Sequence, residues 1–215
     1  MQGSPDYRIR VIYSVLNRAR FLSHKEMIKM LTRACRRADL PLKYSQGFHP
    51  RALLSFGPSR SVGLASTSEI MDIRLSEKLD PLKIKENLIN YFTDDIKVLD
   101  VYEITENHSS IPEINSADYH CVLPYILESA SEKISKIMKK TEIIINRSKE
   151  NITKFINIRP GILNIFVNDN IVEMKLALTP ELSVKPQEVL AELTNESIQK
   201  QKEITITRTA LNPCT

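Results

Sequence analysis

The sequence contains few cysteines, and those present do not form a recognisable set. Cys35, Cys121 and Cys214 are odd in number and far apart, so a disulfide framework is not expected. No two of them have the CxxC spacing that is typical of zinc sites and iron–sulfur clusters. We therefore predict that these thiols are buried or incidental, and that the chain binds no metal and no cofactor.

The sequence also lacks long apolar segments and common catalytic motifs. No apolar run approaches the ~20 residues that span a bilayer, and the opening MQGSPDYRIR has no apolar core of a secretory signal. We therefore expect a cytoplasmic protein that does not engage a membrane. A Walker loop, a GxGxxG fingerprint and an HExxH motif are all absent. A non-enzymatic role is favoured, although catalysis stays open.

Carboxylates are missing from one long stretch, residues 40–68, which lies between Asp39 and Glu69. The first 60 residues contain twelve Lys and Arg against three acids, whereas the net charge of the whole chain is +4. Such a one-sided distribution of charge suits a polyanion or an acidic partner. The first quarter of the chain is where we expect the function to reside.

Two patterns in this basic quarter predict secondary structure. Residues 7–13, YRIRVIY, alternate in a way that indicates a strand with Arg8 and Arg10 on an exposed face. Ser23 and Glu26 have the spacing of a capping box, which predicts a helix running to about Ala38. Apolar and basic residues fall on roughly opposite sides of this helix. The apolar side contains Met27, Met30, Leu31, Ala34 and Ala38, and the basic side contains Lys25, Lys29, Arg33, Arg36 and Arg37.

Strands at 52–56, 69–75 and 96–104 and a helix at 80–92 complete the order β-α-β-β-α-β. This is the order of the ferredoxin-like split βαβ arrangement, and a similar order recurs after a polar segment. We therefore predict an α+β fold of two tandem ferredoxin-like halves. The predicted domains are a basic N-terminal domain at 5–104, a linker at 105–117 and a C-terminal domain at 118–211.

Several motifs resemble those of a known family. RFLSHKEM, RRADLPLKYSQGFHPRALLSFGPS, the RP of NIRPG and the terminal ITRTAL resemble the radical SAM-linked proteins, a bacterial family found alone or fused to cobalamin-binding radical SAM enzymes. The resemblance covers residues 7–211 and departs at Lys25 and Glu26, where the family usually has an apolar residue and Asp. It implies a radical SAM protein as partner. The chain itself lacks the cysteine triad that would ligate the cluster of such an enzyme.

The segment 44–60, YSQGFHPRALLSFGPSR, contains basic residues, aromatic residues and glycine but no acidic residue. We expect an accessory RNA-binding or substrate-presenting protein that works with a radical SAM enzyme, in RNA or ribosome modification. Cations would contact phosphates, aromatic rings would stack on bases, and Gly47 would let the backbone approach. The predicted RNA-binding residues are Arg8, Arg10, Lys43, Tyr44, Gly47, Phe48, Arg51 and Arg60. The competing explanation is that Phe48 and Phe56 fill the core and the arginines are merely solvated.

Two other functions stay open at this point. Tandem ferredoxin-like domains also build metal-independent endoribonucleases, in which His24 and His49 could serve in acid–base cleavage; fold alone does not fix function. Alternatively, the protein is a pure protein–protein adaptor whose basic surface binds an acidic patch of its partner.

Overall fold

The computed structural model describes residues 6–104, 111–149, 152–196 and 203–214. The chain divides into two compact units, Met1–Glu113 and Ile114–Thr215, and both mix helices with antiparallel strands, so the fold is α+β as predicted. In the described ranges, no helix has the length and apolar character needed to cross a membrane.

The first unit has its elements in the predicted order. They are β1 (Tyr7–Val15), the 3-10 helix Asn17–Phe21, α1 (His24–Arg37), β2 (Leu54–Phe56), β3 (Ala65–Leu75), α2 (Pro81–Ile89) and β4 (Val98–Ile104). The four strands form an antiparallel sheet in the order β4-β1-β3-β2. Side chains from β1, β3, α1 and α2 meet in one buried cluster, so both helices cover the same face of the sheet.

Helix α1 begins and buries its apolar side as the sequence predicts. The Ser23 N–H donates to Oε2 of Glu26 at 2.9 Å, and the Glu26 N–H donates back to Oγ of Ser23 at 3.4 Å, which completes the capping box. Met27, Leu31 and Ala34 are buried. The five basic residues of the opposite side are all exposed. The helix therefore separates an apolar face from a cationic one.

The second unit repeats this order with an added hairpin. Its elements are β5 (Ile114–Val122), α3 (Ala130–Lys139), β6 (Ile144–Lys149), β7 (Ile152–Asn157), the 3-10 helix Arg159–Gly161, β8 (Ile162–Asn168), β9 (Ile171–Ala177), α4 (Pro186–Thr194) and β10 (Thr205–Pro213). Strands β10-β5-β9-β8 form an antiparallel sheet, and β6 pairs with β7 alone. The Arg147 guanidinium of β6 donates to both carboxylate oxygens of Glu188 in α4, at 2.8 and 2.7 Å, which fastens this hairpin to the helix.

The predicted linker at 105–117 needs a correction at its C-terminal end. Residues 105–110 lie outside the described part of the chain. Residues 114–117 are not linker, because β5 begins at Ile114 and its residues pair with β9 and β10. Ile114, Ser116 and Ala117 are buried. The polar segment that suggested a linker therefore includes the start of β5, where the side chain of Ser116 is buried inside the unit.

The two faces of α1 should respond differently to truncation. Leu31 is fully buried, so Leu31→Ala removes apolar contacts and leaves a cavity, and we expect a loss of about 2–5 kcal/mol in the free energy of unfolding. Lys29 is exposed, and Lys29→Ala should change that free energy by less than about 0.5 kcal/mol. Urea unfolding of both variants measures the difference. Equal losses would contradict the assignment of the faces.

Candidate nucleic-acid interface

The segment after α1 forms a small closed loop with an exposed tip. The Ser45 N–H donates to the carbonyl of Arg51 at 2.8 Å, and the Arg51 N–H donates to Oγ of Ser45 at 3.0 Å. Inside this closure Gly47 has φ +128°, which favours glycine, and a Cβ there would meet no other atom within 4 Å. Gly47 thus serves the turn itself, and the structure shows no close approach that depends on it.

The aromatic residues of this segment have different surroundings. Phe48 is fully exposed at the loop tip, so the explanation that it fills the core is wrong. Phe56 is half-buried against the core of the first unit and meets the edge of the His24 ring at 6.3 Å between centroids. Tyr44 is exposed beside Arg36, whose guanidinium lies 5.8 Å from the ring centroid. Phe48 and Tyr44 are therefore available for stacking, whereas Phe56 is a packing residue.

The structure corrects the prediction that Arg10 lies on an exposed face of β1. Arg10 is only 9% exposed and Asp72 only 5%. The guanidinium donates to both carboxylate oxygens of Asp72, from Nε at 2.8 Å and from Nη2 at 2.9 Å. These hydrogen bonds raise the pKa of Arg10 above its ordinary value. The residues of β1 alternate as predicted, but Arg10 can be buried because the carboxylate of Asp72 lies directly opposite it on β3.

Arg60 also forms its hydrogen bonds within the protein. It donates from Nη1 to the carbonyls of Arg20 at 2.7 Å and Leu64 at 3.0 Å. It donates from Nη2 to the carbonyls of Ala19 at 2.9 Å and Leu22 at 3.3 Å. One guanidinium therefore ties the loop before β3 to the 3-10 helix Asn17–Phe21. Arg60 has a structural role in place of the predicted phosphate contact, because its donors already have carbonyl acceptors.

Asp6 partly neutralises two more of the predicted contacts. Its carboxylate lies 3.9 Å from Nε of Arg8 and 3.6 Å from Nζ of Lys43, and it accepts hydrogen bonds from the guanidinium of Arg74. The Arg74 hydrogen bond is the main cause that lowers the pKa of Asp6, with the nearby charges of Lys43 and Arg8 adding to it. Arg8 and Lys43 should therefore attract a phosphate less strongly than the sequence alone indicates.

The cations that face solvent without an acid lie mainly on α1. They are Lys25, Lys29, Arg33, Arg36 and Arg37, and Arg51 of the loop is exposed as well. Among the described residues, no ion pair within 4.0 Å involves any of these six. We call these six, together with Tyr44 and Phe48, the α1 surface. Coulomb repulsion among its cations makes this surface attractive to negatively charged groups.

The two histidines and the thiols give little support to catalysis. His24 is the first residue of α1 with its ring against Phe56, and His49 is exposed in the loop. Burial raises the pKa of both Cys35 and Cys121 to about 12, which keeps these thiols protonated near neutral pH. Within the described ranges, no group of three or more His, Cys, Asp or Glu residues is placed to hold a metal ion.

The chain matches, over residues 8–207, the family described as "Uncharacterized protein conserved in bacteria (DUF2344)". It belongs to the DUF2344 family. No curated protein matches it. The matched region takes in the α1 surface and almost all of both units of this DUF2344 chain.

The NIRPG motif of this DUF2344 chain has a structural explanation in the second unit. The Arg159 guanidinium donates to the carbonyl of Met138 at 2.7 Å and to that of Ile162 at 3.2 Å. Gly161 is buried, and a Cβ there would lie 2.5 Å from a methyl carbon of Val184. Glycine is thus required by space at this position, whereas at Gly47 it is required by the backbone angle.

Sequence reasoning missed Tyr91 as a site residue. It follows α2, is 40% exposed, and has the guanidinium of Arg37 5.6 Å from its ring centroid. The basic residues of α1 were visible in the sequence, but the contact between Arg37 and Tyr91, which lie 54 positions apart, was not. The sequence offered no signal for this contact, because the helix predicted at 80–92 included Tyr91, whereas α2 ends at Ile89.

The buried ion pair should be far more sensitive to truncation than an exposed one. Asp72→Ala leaves the Arg10 guanidinium buried without its carboxylate, and we expect a loss of about 3–5 kcal/mol in the free energy of unfolding. Glu103→Ala removes an exposed pair with Lys78 (3.3 Å) and should cost less than about 1 kcal/mol.

Urea unfolding of both variants measures this contrast. The double variant Arg10→Met/Asp72→Leu should recover most of the loss, because an apolar pair of similar volume removes both buried charges. A double variant as unstable as Asp72→Ala would contradict this account of the pair.

Proposed function

We propose that this protein is an accessory RNA-binding protein that presents RNA to a radical SAM enzyme. The observation that carries the proposal is the α1 surface, which combines the exposed aromatic residues Phe48 and Tyr44 with six exposed cations that form no ion pair within 4.0 Å among the described residues. Lysine and arginine side chains that neutralise phosphates release condensed counterions, which is the main source of affinity for nucleic acids. Exposed aromatic rings add stacking that tolerates any base.

Three carboxylates near this charge have hydrogen-bond or ion-pair partners of their own. Asp72 is occupied by Arg10, and Asp6 by three cations of its own. Glu26 lies at the start of α1, where hydrogen bonds from Ser23 lower the pKa of its carboxyl and keep it on the helix cap. These three acids therefore stabilise the fold, and the α1 surface keeps more cations than acids.

We also propose that each unit is ferredoxin-like. The β-α-β-β-α-β order of the first unit and the strand order β4-β1-β3-β2 support this interpretation. The β10-β5-β9-β8 sheet of the second unit supports it too, with β6 and β7 as an insertion. Small RNA-binding domains of related architecture stack bases on the open sheet face. Here the Arg10–Asp72 pair lies in β1 and β3, so we assign RNA to α1 and the loop.

The radical SAM partner rests on the resemblance of the sequence motifs. In the proposal, this chain contributes binding of RNA and the partner contributes the reaction. The chain has no cysteine triad of its own for a cluster. A positive surface suits a protein that positions a polyanion for another enzyme.

Salt dependence of RNA binding tests the proposal. In filter binding with single-stranded RNA, Lys25→Ala and Arg51→Ala should each lower the slope of log affinity against log salt by about 0.7, because each removes one phosphate contact. Phe48→Ala should weaken binding by about 1–3 kcal/mol and leave the slope unchanged, since it removes stacking alone. Lys175→Ala, an exposed lysine of the second unit, is the matched control and should change neither quantity.

The rival functions give different results in the same experiments. If no RNA binds at low salt while the radical SAM partner binds through these cations, the protein is an adaptor. If the protein cuts RNA and His49→Ala abolishes the cleavage, it is an endoribonuclease.

A further inference from the structure

A groove of about 390 Å³ runs along α1. Lys29, Arg33 and Arg37 line it from the helix, and Tyr91 and Thr93 line it from the segment after α2. We propose that this groove binds one nucleotide unit of a single RNA strand, with its base on Tyr91 and the phosphates on either side of that nucleotide on Arg33 and Arg37. The inference rests on the proposed function and names the part of the surface that holds a base.

The cations of the groove are spaced for a chain of phosphates. Lys29, Arg33 and Arg37 follow one another at i, i+4, so they lie on one side of α1 with a rise of about 6 Å between successive residues. All three are exposed and have no acidic partner within 4.0 Å among the described residues. An extended strand lying along the helix can therefore place successive phosphates against successive side chains.

The aromatic side of the groove is held in place and open to solvent. The Tyr91 N–H donates to the carbonyl of Leu88 at 3.0 Å, which fixes the backbone of Tyr91 to the end of α2. Its ring is 40% exposed and lies 5.6 Å from the guanidinium of Arg37. Bases stack both on tyrosine rings and on guanidinium planes. Half-buried Met30 adds an apolar wall between these groups.

The groove is polarised along its length. Glu26 lies at the end nearest the start of α1, and its carboxylate accepts hydrogen bonds from the Ser23 N–H and hydroxyl at 2.9 and 2.6 Å. A negative charge at that end disfavours a phosphate there. The phosphates are therefore placed toward Arg33 and Arg37, which is also the end where Tyr91 can receive the base.

Two other grooves of similar size suit a phosphate less well. The groove on the other side of Tyr91 contains Asp39 and Glu77 against Lys83. A groove of about 410 Å³ on the sheet of the second unit contains Asp118 and Glu173. Both have two carboxylates, whereas the groove along α1 has one acid and three cations. The volume of the latter is within the range of small-molecule sites, which is sufficient for one nucleotide.

Fluorescence anisotropy with a labelled single-stranded oligoadenylate tests the inference on the full chain. Tyr91→Ala should weaken binding about tenfold, because it removes one stacking contact, with the salt slope unchanged. Tyr91→Phe should retain wild-type affinity, since the ring is kept. Tyr125→Ala is the control, because Tyr125 of the second unit is similarly exposed at 38%. Arg33→Ala should lower the salt slope by about 0.7. Thermal melts check that every variant is folded.

Two further binding experiments identify the kind of ligand that the groove binds. With an oligomer of the same length that has a sugar–phosphate backbone and no bases, Tyr91→Ala should bind as wild type does, which supports stacking as the role of the ring. Competition with ATP and AMP separates a free nucleotide from a strand. If either displaces the oligoadenylate as effectively as unlabelled oligoadenylate does, the groove is a site for free nucleotides and the proposal is overturned.

The outcomes separate this inference from the proposed function. If wild-type protein binds no RNA, both fail. If it binds RNA, but Tyr91→Ala and Tyr125→Ala have the same affinity, the groove does not hold a base and only the inference fails.

Discussion

The buried ion pair between Arg10 and Asp72 determines how charge is distributed over the first unit. It joins the adjacent strands β1 and β3. Within the pair, the positive charge of Arg10 and the negative charge of Asp72 neutralise each other. A guanidinium at that position without its carboxylate would carry a large desolvation cost. With the pair formed, Arg10 is not available to a ligand at this site, and five exposed cations of the unit lie together on α1.

Helix α1 is the element that connects stability with function. Its capping box and its apolar stripe anchor it to the core, so the opposite side can hold five cations at fixed spacing. The repulsion among these cations costs some stability, which the buried side offsets. A helix with the same charges and no apolar stripe would not present them in a defined geometry, because the side chains would not share a fixed backbone.

Local patterns were enough to predict most of the elements, whereas the site depended on partners that are distant in the sequence. The start of α1 followed from Ser23 and Glu26, which are three residues apart. The buried state of Arg10 required Asp72, and the structural role of Arg60 required carbonyls about 40 residues away. Alternation shows which residues share a face, but it does not show what lies opposite that face. The extent of β5 into the expected linker was missed because its polar side chains are accommodated by neighbouring strands.

Asp6 gives the first unit a point of sensitivity to acid. Its carboxylate faces Arg8 at the start of β1, Lys43 after α1 and Arg74 of β3. Because its pKa is lowered in the folded state, its contribution is complete above the ordinary titration range of a carboxyl and is lost as the pH falls through the lowered value. A single proton then leaves three cations facing one another without a counter-charge. The start of β1 is therefore a place where acid weakens this unit.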